Sequence, residues 1–391
     1  MGQLYIPLSV PHLVGNEKKY VNECIDSNWI SAGGQFTQRF EEEFAKYTGA
    51  QFAVAVSSGT AALHLALVAA GIKQGEGVFA PAMTFIAPIN AISYVGAEPV
   101  FVDVDRDSLG ISPESVQHFI DKFCYFKEGV LINRFSNTKI SAIMAVHIYG
   151  HSTRIDELRQ ISDTYNLALI EDASECVGTR YKDKHVGTFG DFGCFSFSGN
   201  KLLATGNGGI FLTNDEQIAK RVRHLRQHAT TDTTFFYHDE VGYNYRMSNI
   251  AAAIGLGQIE YLSQTITSKR KVHLEYERAF NDLDGIKLFT ELDWCRSNYW
   301  MAIVQVPAER RDIFIEHMEK RLIESRPIWE LNNRHPMYSA CPCSNIDNSI
   351  DLYESLVAIP CSQSMDEQDV ERVICAVLEF ISADKNSDSL A

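Results

Sequence analysis

The chain has 391 residues, 45% hydrophobic, 22% charged and 11% aromatic, a composition that excludes a disordered chain or a coiled coil and leaves room for one large core and a smaller one. Its formal charge of −15 speaks against nucleic acid as the main partner, which needs a basic face, but not against a small phosphorylated ligand held by amides and a few cations. No apolar run reaches the roughly 18 residues that span a bilayer, the N-terminus lacks a signal-peptide pattern, and nine cysteines without a CxxC or zinc spacing (Cys341 and Cys343 form only a CxC) point to reduced thiols in a cytoplasmic protein with no membrane partner and no metal.

The first 34 residues or so are rich in turn formers, with Glu17 to Ser27 patterned as one amphipathic helix presenting Tyr20, Val21, Cys24 and Ile25. The loop NWISAGGQF follows. Its Trp29, Ser31 and paired glycines suit close approach to a ligand, and equally a plain connection with a buried Trp. Phe36 to Tyr47 reads as an amphipathic helix, with Phe36, Phe40 and Phe44 at i, i+4, i+8 and Gly49 as its end. Phe52 to Val56 reads as a buried strand, and Ala61 to Ala70 as a helix with Leu63, Leu67 and Ala70 on its core stripe, stopped by Gly71. Between them lies the turn Ser57-Ser58-Gly59-Thr60. Free amides at a helix start bind anions, and ordinary N-capping uses the same residues; the turn is neither a Walker A loop nor a GxGxxG fingerprint.

Val78 to Ala80 is a further strand, and the helix after it runs to about Tyr94, leaving Phe85 at the mouth of the sheet, where an aromatic face can stack on a planar ligand or pack in the core. Val100 to Val104 and Ile143 to Val146 are apolar, β-branched strands, with a polar, irregular excursion between them from Asp121 to Lys139. HIYGH follows, with His147 and Tyr149 on the carboxyl edge; a zinc reading of His147 and His151 lacks a third ligand. Asp156 to Tyr165 is a helix, and the strand Leu167 to Ile170 ends in Glu171 and Asp172.

Lys201 lies in a Ser-Gly-Asn-Lys turn with Gly206, Gly208 and Gly209 just beyond. A strand-end carboxylate and a lone lysine in a Gly-flanked loop suit pyridoxal phosphate chemistry, with the acid on the ring nitrogen; a surface lysine and a helix-capping Asp fit the pair too. What tips the balance is convergence. SSGT, Phe85, HIYG and EDASE each follow a different strand of a three-layer α/β unit with a mostly parallel sheet, and ligands bind at the carboxyl end of such strands.

Ile210 to Thr213 is a strand and Glu216 to Gln227 a helix; Asn244 and Arg246 fall in a polar, aromatic loop before an apolar helix beginning near Ser248. From about Tyr261 the pattern becomes a smaller α/β unit: a helix from Ser268 to Leu283, a strand from Tyr299 to Val306, a helix from Arg311 to Ile323 and a closing helix from Asp369 to Ile381, with a polar tail expected to fray. The expected domains are 1–260 and 261–391.

In this order, SSGTAALHLAL, AMTFIAPINAI, VFVDVD, VHIYGH, IEDASE, GTFGDFGCFSFSGNK, TGNGGIFLTND and GYNYRMSNIAAAIGLGQIEYL resemble the DegT/DnrJ sugar-nucleotide aminotransferases over nearly the whole chain. The resemblance implies the aspartate-aminotransferase-like α/β fold (fold type I), with a three-layer large domain and a smaller C-terminal α/β domain. It implies pyridoxal 5′-phosphate as cofactor, with a pyridoxamine form as intermediate, L-glutamate as donor, a nucleotide sugar as acceptor, and a homodimer with shared sites. Within the family, IPLSVPHLVGNEKKY, WCRSNYW, HDEVGYNYRMSN and SRPIWELNNRHPMY look like enzymes that aminate C4 of UDP-linked 4-keto-6-deoxy-N-acetylhexosamines for bacillosamine and legionaminic acid in surface glycans. GNEKKYVNECIDSNWIS and NYRMSNI are similar also to GDP-perosamine synthases, which use GDP-4-keto-6-deoxymannose.

By matching motif positions, the resemblance makes Lys201 the Schiff-base lysine and Asp172 the partner of the pyridine nitrogen. Glu175 would stand near the ring hydroxyl, Ser58, Gly59, Thr60 and Ser196 at the phosphate, and Phe85 against the ring, while Asn244 would reach the phosphate of the neighbouring subunit. Trp29, Ser31, His147, Tyr149, Arg246 and Arg326 are the expected substrate contacts. Asn207 departs from the Glu or Gly that relatives often carry there, and an inert regulator of the same fold is disfavoured by the intact Lys201 and Asp172.

Overall fold

In the computed structural model, which describes residues 4–281 and 283–387, the apolar β-type runs assemble into one nine-stranded sheet. Its strands, with one small hairpin beside them, are β1 (Phe52–Val56), β2 (Gly77–Pro81), β3 (Glu98–Val102), β4 (Cys124–Lys127), β5 (Val130–Asn133), β6 (Lys139–Val146), β7 (Ala168–Asp172), the hairpin β8 (Arg180–Tyr181) and β9 (Lys184–His185), then β10 (Phe192–Ser196) and β11 (Gly209–Thr213). The order across the sheet is β1-β11-β10-β7-β6-β2-β3. Strands β10, β7, β6, β2 and β3 pair in parallel, whereas β11 runs antiparallel to both its neighbours. Every residue of β2, β10 and β11 is buried, as expected of strands covered on both faces.

The helices cover the sheet for legible reasons. The helix Gln35–Thr48 buries Phe36, Phe40 and Phe44 on one stripe and ends at Gly49 in the left-handed conformation (φ 82°). Phe44 meets Phe195 and Phe197 edge-on at 5.1 and 5.5 Å between ring centres; burying such a ring stabilises by about 1.5–3 kcal/mol. The helix Gly59–Ala69 is buried on nearly all sides, consistent with its almost wholly apolar sequence.

The expected irregular excursion at 121–139 is instead mostly the hairpin β4–β5, which joins the sheet at Lys139 and Ile140, the first residues of β6, off the main strand order. Its turn is Glu128-Gly129, both at positive φ (53° and 79°), the two-residue geometry that matches strand twist. A Glu in a position that favours Asn or Gly, and a strand with two exposed residues, made the segment look polar.

A second, smaller core gathers Val272, Tyr276, Val304, Phe314, Val357 and Val373 around a four-stranded antiparallel sheet of Lys287–Leu288, Ala302–Gln305, Leu356–Ile359 and Arg326–Pro327. Ile6 joins this core, pairing with Ile323. Trp300, Met301, Ile328, Leu331 and Leu352 pack into the larger one. Cys295–Arg296 pairs with β8, so the chain crosses between cores just before Trp300. The strand expected from Tyr299 is correspondingly shorter, with Tyr299 itself at φ 48°. The helix expected at Ser268–Leu283 runs Leu262–Phe280, and that expected at Arg311–Ile323 ends at Glu319. The last helix continues to Ser387 instead of fraying after Ile381, and residues 388–391 lie outside the described residues. Among the described residues no helix is long and apolar enough to cross a membrane.

Candidate active site

Strand β1 delivers the chain to the helix Gly59–Ala69 through Ser58, whose extended backbone (φ −165°) and side-chain oxygen, accepting from the Ala61 N–H at 3.1 Å, form its N-cap. Gly59 is needed there because a Cβ would lie 2.6 Å from Cβ of Ser196 at the end of β10. The close approach lines up the first amides of the helix with the hydroxyls of Thr60, Ser196 and Ser198 around one cavity, an arrangement that binds phosphate. Phe85, half exposed at the start of the helix Ile86–Tyr94, forms one wall of it.

Side chains alternate along a strand, so Glu171 and Asp172 at the end of β7 point opposite ways. Asp172 faces the cavity. Its Oδ1 accepts from the Ser174 amide (3.0 Å) and hydroxyl (2.5 Å), and among the described residues Oδ2 receives no hydrogen bond. Burial pushes its carboxyl pKa up, with Ser174 and the charge of Lys201 pulling the other way. Glu175 accepts from Lys201 Nζ at 2.9 Å on Oε1 and from the Tyr149 amide at 2.8 Å on Oε2. Its carboxyl too is raised by burial and drawn down by Lys201. Lys201 reaches this point from a tight turn in which Gly199 takes positive φ (63°). The hydroxyl of Thr84, buried in the cavity wall, has no hydrogen-bond partner among the described residues.

A buried carboxylate oxygen still free to accept, an ammonium opposite it, an unpartnered hydroxyl and a helix-start anion cradle fit pyridoxal phosphate: a ring N–H for Asp172, an aldehyde for Lys201 and a phosphate for the amides. Of the residues expected at the cofactor, Ser58, Gly59, Thr60, Phe85, Asp172, Glu175, Ser196 and Lys201 line this one cavity. Asn244 does not; it is exposed on its loop, its main chain bridged to Gln227.

The expected substrate contacts fare differently. His147 is fully buried in the cavity floor with both ring nitrogens occupied: Nδ1 accepts from the Thr153 amide (3.2 Å), which makes Nε2 the N–H donor to Glu171 (3.0 Å). It has no polar atom to offer a sugar or a zinc ion. Tyr149 is stacked against Trp329 (ring centres 4.5 Å apart, 4° between planes) and supplies its backbone N–H, not its ring, to Glu175. Trp29, Ser31 and Arg246 are exposed on loops outside the cavity, and Arg326 pairs with Glu324. Sequence reasoning passed over Thr84, Ser174 and Ser198. The last two had a signal: Ser174 lies two residues past Asp172, and Ser198 two past Ser196, in the same alternating run.

A family model described as the DegT/DnrJ/EryC1/StrS aminotransferase family matches residues 11–378. The chain is 41% identical over 336 residues to the GDP-perosamine synthase of Escherichia coli O157:H7, covering 86% of this chain and 87% of that enzyme. It is 39% identical over 349 residues to the GDP-perosamine synthase of Vibrio cholerae, covering 87% of this chain and 90% of that one. Among solved structures, S. venezuelae DesV in complex with a ketimine intermediate superposes with a TM-score of 0.86 at 27% identity, covering 97% of this chain and 99% of that one. With the mixed α/β architecture and the cavity above, these likenesses identify the chain as a member of the DegT/DnrJ/EryC1/StrS family, a pyridoxal-phosphate-dependent sugar aminotransferase.

Proposed function

We propose that this enzyme transfers an amino group from L-glutamate to the C4 ketone of a GDP-linked 4-keto-6-deoxyhexose in the cytoplasm. The observation that carries the choice of sugar is the 41% identity to a GDP-perosamine synthase. It favours a GDP-linked acceptor over the UDP-linked N-acetyl sugar that four short stretches of the sequence had suggested.

In this reading Asp172, its Oδ1 held by Ser174, offers Oδ2 to the ring nitrogen of the cofactor and keeps that nitrogen protonated. Bound through Lys201, pyridoxal phosphate supplies an electron sink that lets the Cα–H bond of the donor ionise. With the cofactor and donor bound, Lys201 would take the proton from the donor Cα in the first half-reaction and would deliver one to C4 of the sugar in the second. Glu175 stays within hydrogen-bond reach of Nζ to orient it. One lysine serving two half-reactions implies ping-pong kinetics. In this scheme the cofactor groups all lie before residue 260, and the second unit is built mostly from residues after it, with Ile6 added to its core.

We further propose a two-fold homodimer in which Asn244 reaches the phosphate of the neighbouring subunit. Asn244 is exposed, and Phe235, Phe236 and Val241 on the same loop are exposed too. Mixing inactive Lys201→Ala and Asn244→Ala chains should then restore up to about a quarter of wild-type activity, since random pairing makes half the dimers hybrids with one intact site each.

The test of the substrate is a panel of GDP- and UDP-linked 4-keto-6-deoxy sugars with L-glutamate. Higher kcat/KM on the GDP-linked 4-keto sugar is the expected result; a clear preference for a UDP-linked one would refute the assignment.

A further inference from the structure

We propose that Trp300 is a positioning residue for Lys201, clamping the lysine at its backbone and its ammonium head together. The proposal rests on the assignment of Lys201 above.

Two contacts fall on one short turn. The Trp300 indole N–H donates to the carbonyl of Asn200, the residue before Lys201, at 2.9 Å. The face of the same ring lies with its centre 4.0 Å from Lys201 Nζ. A tryptophan that only filled space would need its N–H satisfied, but not by this turn, and would have no reason to present its face to the ammonium as well.

Trp300 is itself held from Glu175, the other group on Nζ. The Trp300 amide donates to Asn298 Oδ1 at 2.8 Å, and Asn298 Nδ2 donates to the carbonyls of Glu175 and Val177, each at 2.9 Å. Glu175 then accepts from Lys201. The loop closes through five groups, and Asn298 is fully buried within it. Gly150 is at φ 94°, and a Cβ there would collide with Asn298 Oδ1, so only glycine lets the strand-end turn approach this closely. Tyr149 stacks on the ring of Trp300 at 6.0 Å and 14°. All this uses the WCRSNYW stretch, whose role the cofactor cavity alone leaves unexplained.

A lysine side chain has four rotatable bonds, and a free one samples many directions. The ring face and Glu175 restrict Nζ to one. An aromatic face also attracts an ammonium, so the ring holds the head of the lysine while the indole N–H holds its backbone turn.

Trp300→Met fills the volume without a ring; Trp300→Phe keeps a ring without the N–H. Borohydride trapping of each holoenzyme, with peptide mapping, first locates the cofactor-bearing lysine. The glutamate half-reaction of each holoenzyme is then followed by stopped-flow absorbance over a range of glutamate concentrations, which separates its limiting rate from the apparent affinity for glutamate. A lysine that has lost its clamp lowers the limiting rate and leaves the affinity within about twofold, and Trp300→Phe, which keeps a ring, should lose less than Trp300→Met. The glutamate half-reaction, measured without any sugar, should slow about tenfold in Trp300→Met at saturating glutamate. A wild-type limiting rate in folded Trp300→Met overturns the proposal and leaves the Lys201 assignment standing. Wild-type label on another lysine overturns both. Should Trp300→Met fail to fold, Trp300→Phe decides: a slower half-reaction at saturating glutamate supports the clamp, and a wild-type rate refutes it.

Discussion

Glu171 and Asp172 are consecutive residues at the end of one strand, both carboxylates, both buried, and they do opposite work. Behind the strand, Glu171 is saturated. It accepts from the amides of Gly187 (2.7 Å), Phe189 (2.6 Å) and Gly190 (2.6 Å) and from the His147 ring, so that burial, which alone would raise its pKa, is outweighed and its carboxyl is held below the usual glutamate value. In front, Asp172 is only half satisfied, and burial wins: its carboxyl is raised. A buried carboxylate whose acceptors are all filled fastens loops together. One with an oxygen left over is held ready for a ligand, at a cost in stability. The difference lies in the donors around each group, since type, depth and strand are the same.

The front side should break first and furthest. Lys201→Ala is expected to reduce turnover by about 10⁴-fold or more while the protein stays folded, and borohydride should no longer fix the cofactor to the chain. Retained fixation would place the attachment elsewhere. Asp172→Asn keeps the shape of the side chain and should still bind the cofactor, but turnover should fall by about 10²–10⁴-fold in a steady-state assay. Its unfolding free energy should match or exceed that of the wild type, because a raised carboxyl pKa weighs against the fold at neutral pH and ceases to do so as pH falls through it. Substantial destabilisation would mean Asp172 is structural after all.

The rear side should show the mirror image. Glu171→Gln removes the charge that four donors surround and should cost about 2–4 kcal/mol of stability in denaturant melts at pH 7. Glu171 has a depressed folded pKa, so its contribution is fully present above the ordinary glutamate value of about 4.3 and is lost as pH drops through the lower one. The gap between wild type and Glu171→Gln should therefore narrow in melts below about pH 4, and a gap constant with pH would contradict the account. The smallest effect belongs to Ser174→Ala, which removes one of the two bonds on Asp172 Oδ1 and should lower kcat by roughly tenfold with little change in melting temperature.

Much of this was legible along the chain. The phenylalanines at 36, 40 and 44 declare their helix because the packed face repeats every 3.6 residues, and the parallel strands stand out because both their faces are buried. The cofactor cavity was readable because its parts sit at strand ends, where short motifs carry the chemistry. What stayed hidden depends on partners distant in sequence. Nothing within HIYG says that the His147 ring turns to Glu171, which makes it a support and not a substrate contact. Trp300 is 99 residues beyond the lysine it touches, so no spacing rule connects them. The edge hairpin at 124–133 was missed because an edge strand shows solvent a face as polar as any loop.

The seating of Ile6 in the smaller core has a consequence for how the protein is made. Its backbone pairs with Leu322 and Glu324 at 2.8 and 2.9 Å, and the Leu8 amide donates to the Glu324 side chain. Ribosomes add about 5–20 residues per second, so Ile6 waits about 15 to 60 s for the segment it pairs with. During that interval Ile6 has no native partner in the smaller core, the Leu8 amide lacks its Glu324 acceptor, and for most of it Trp300 has not been synthesised. The nascent enzyme can build its cofactor-binding sheet early, but the lysine clamp waits for Trp300 and the closure of the second core for residues 322–324. A bulky N-terminal fusion would therefore burden the last step of assembly far more than the first.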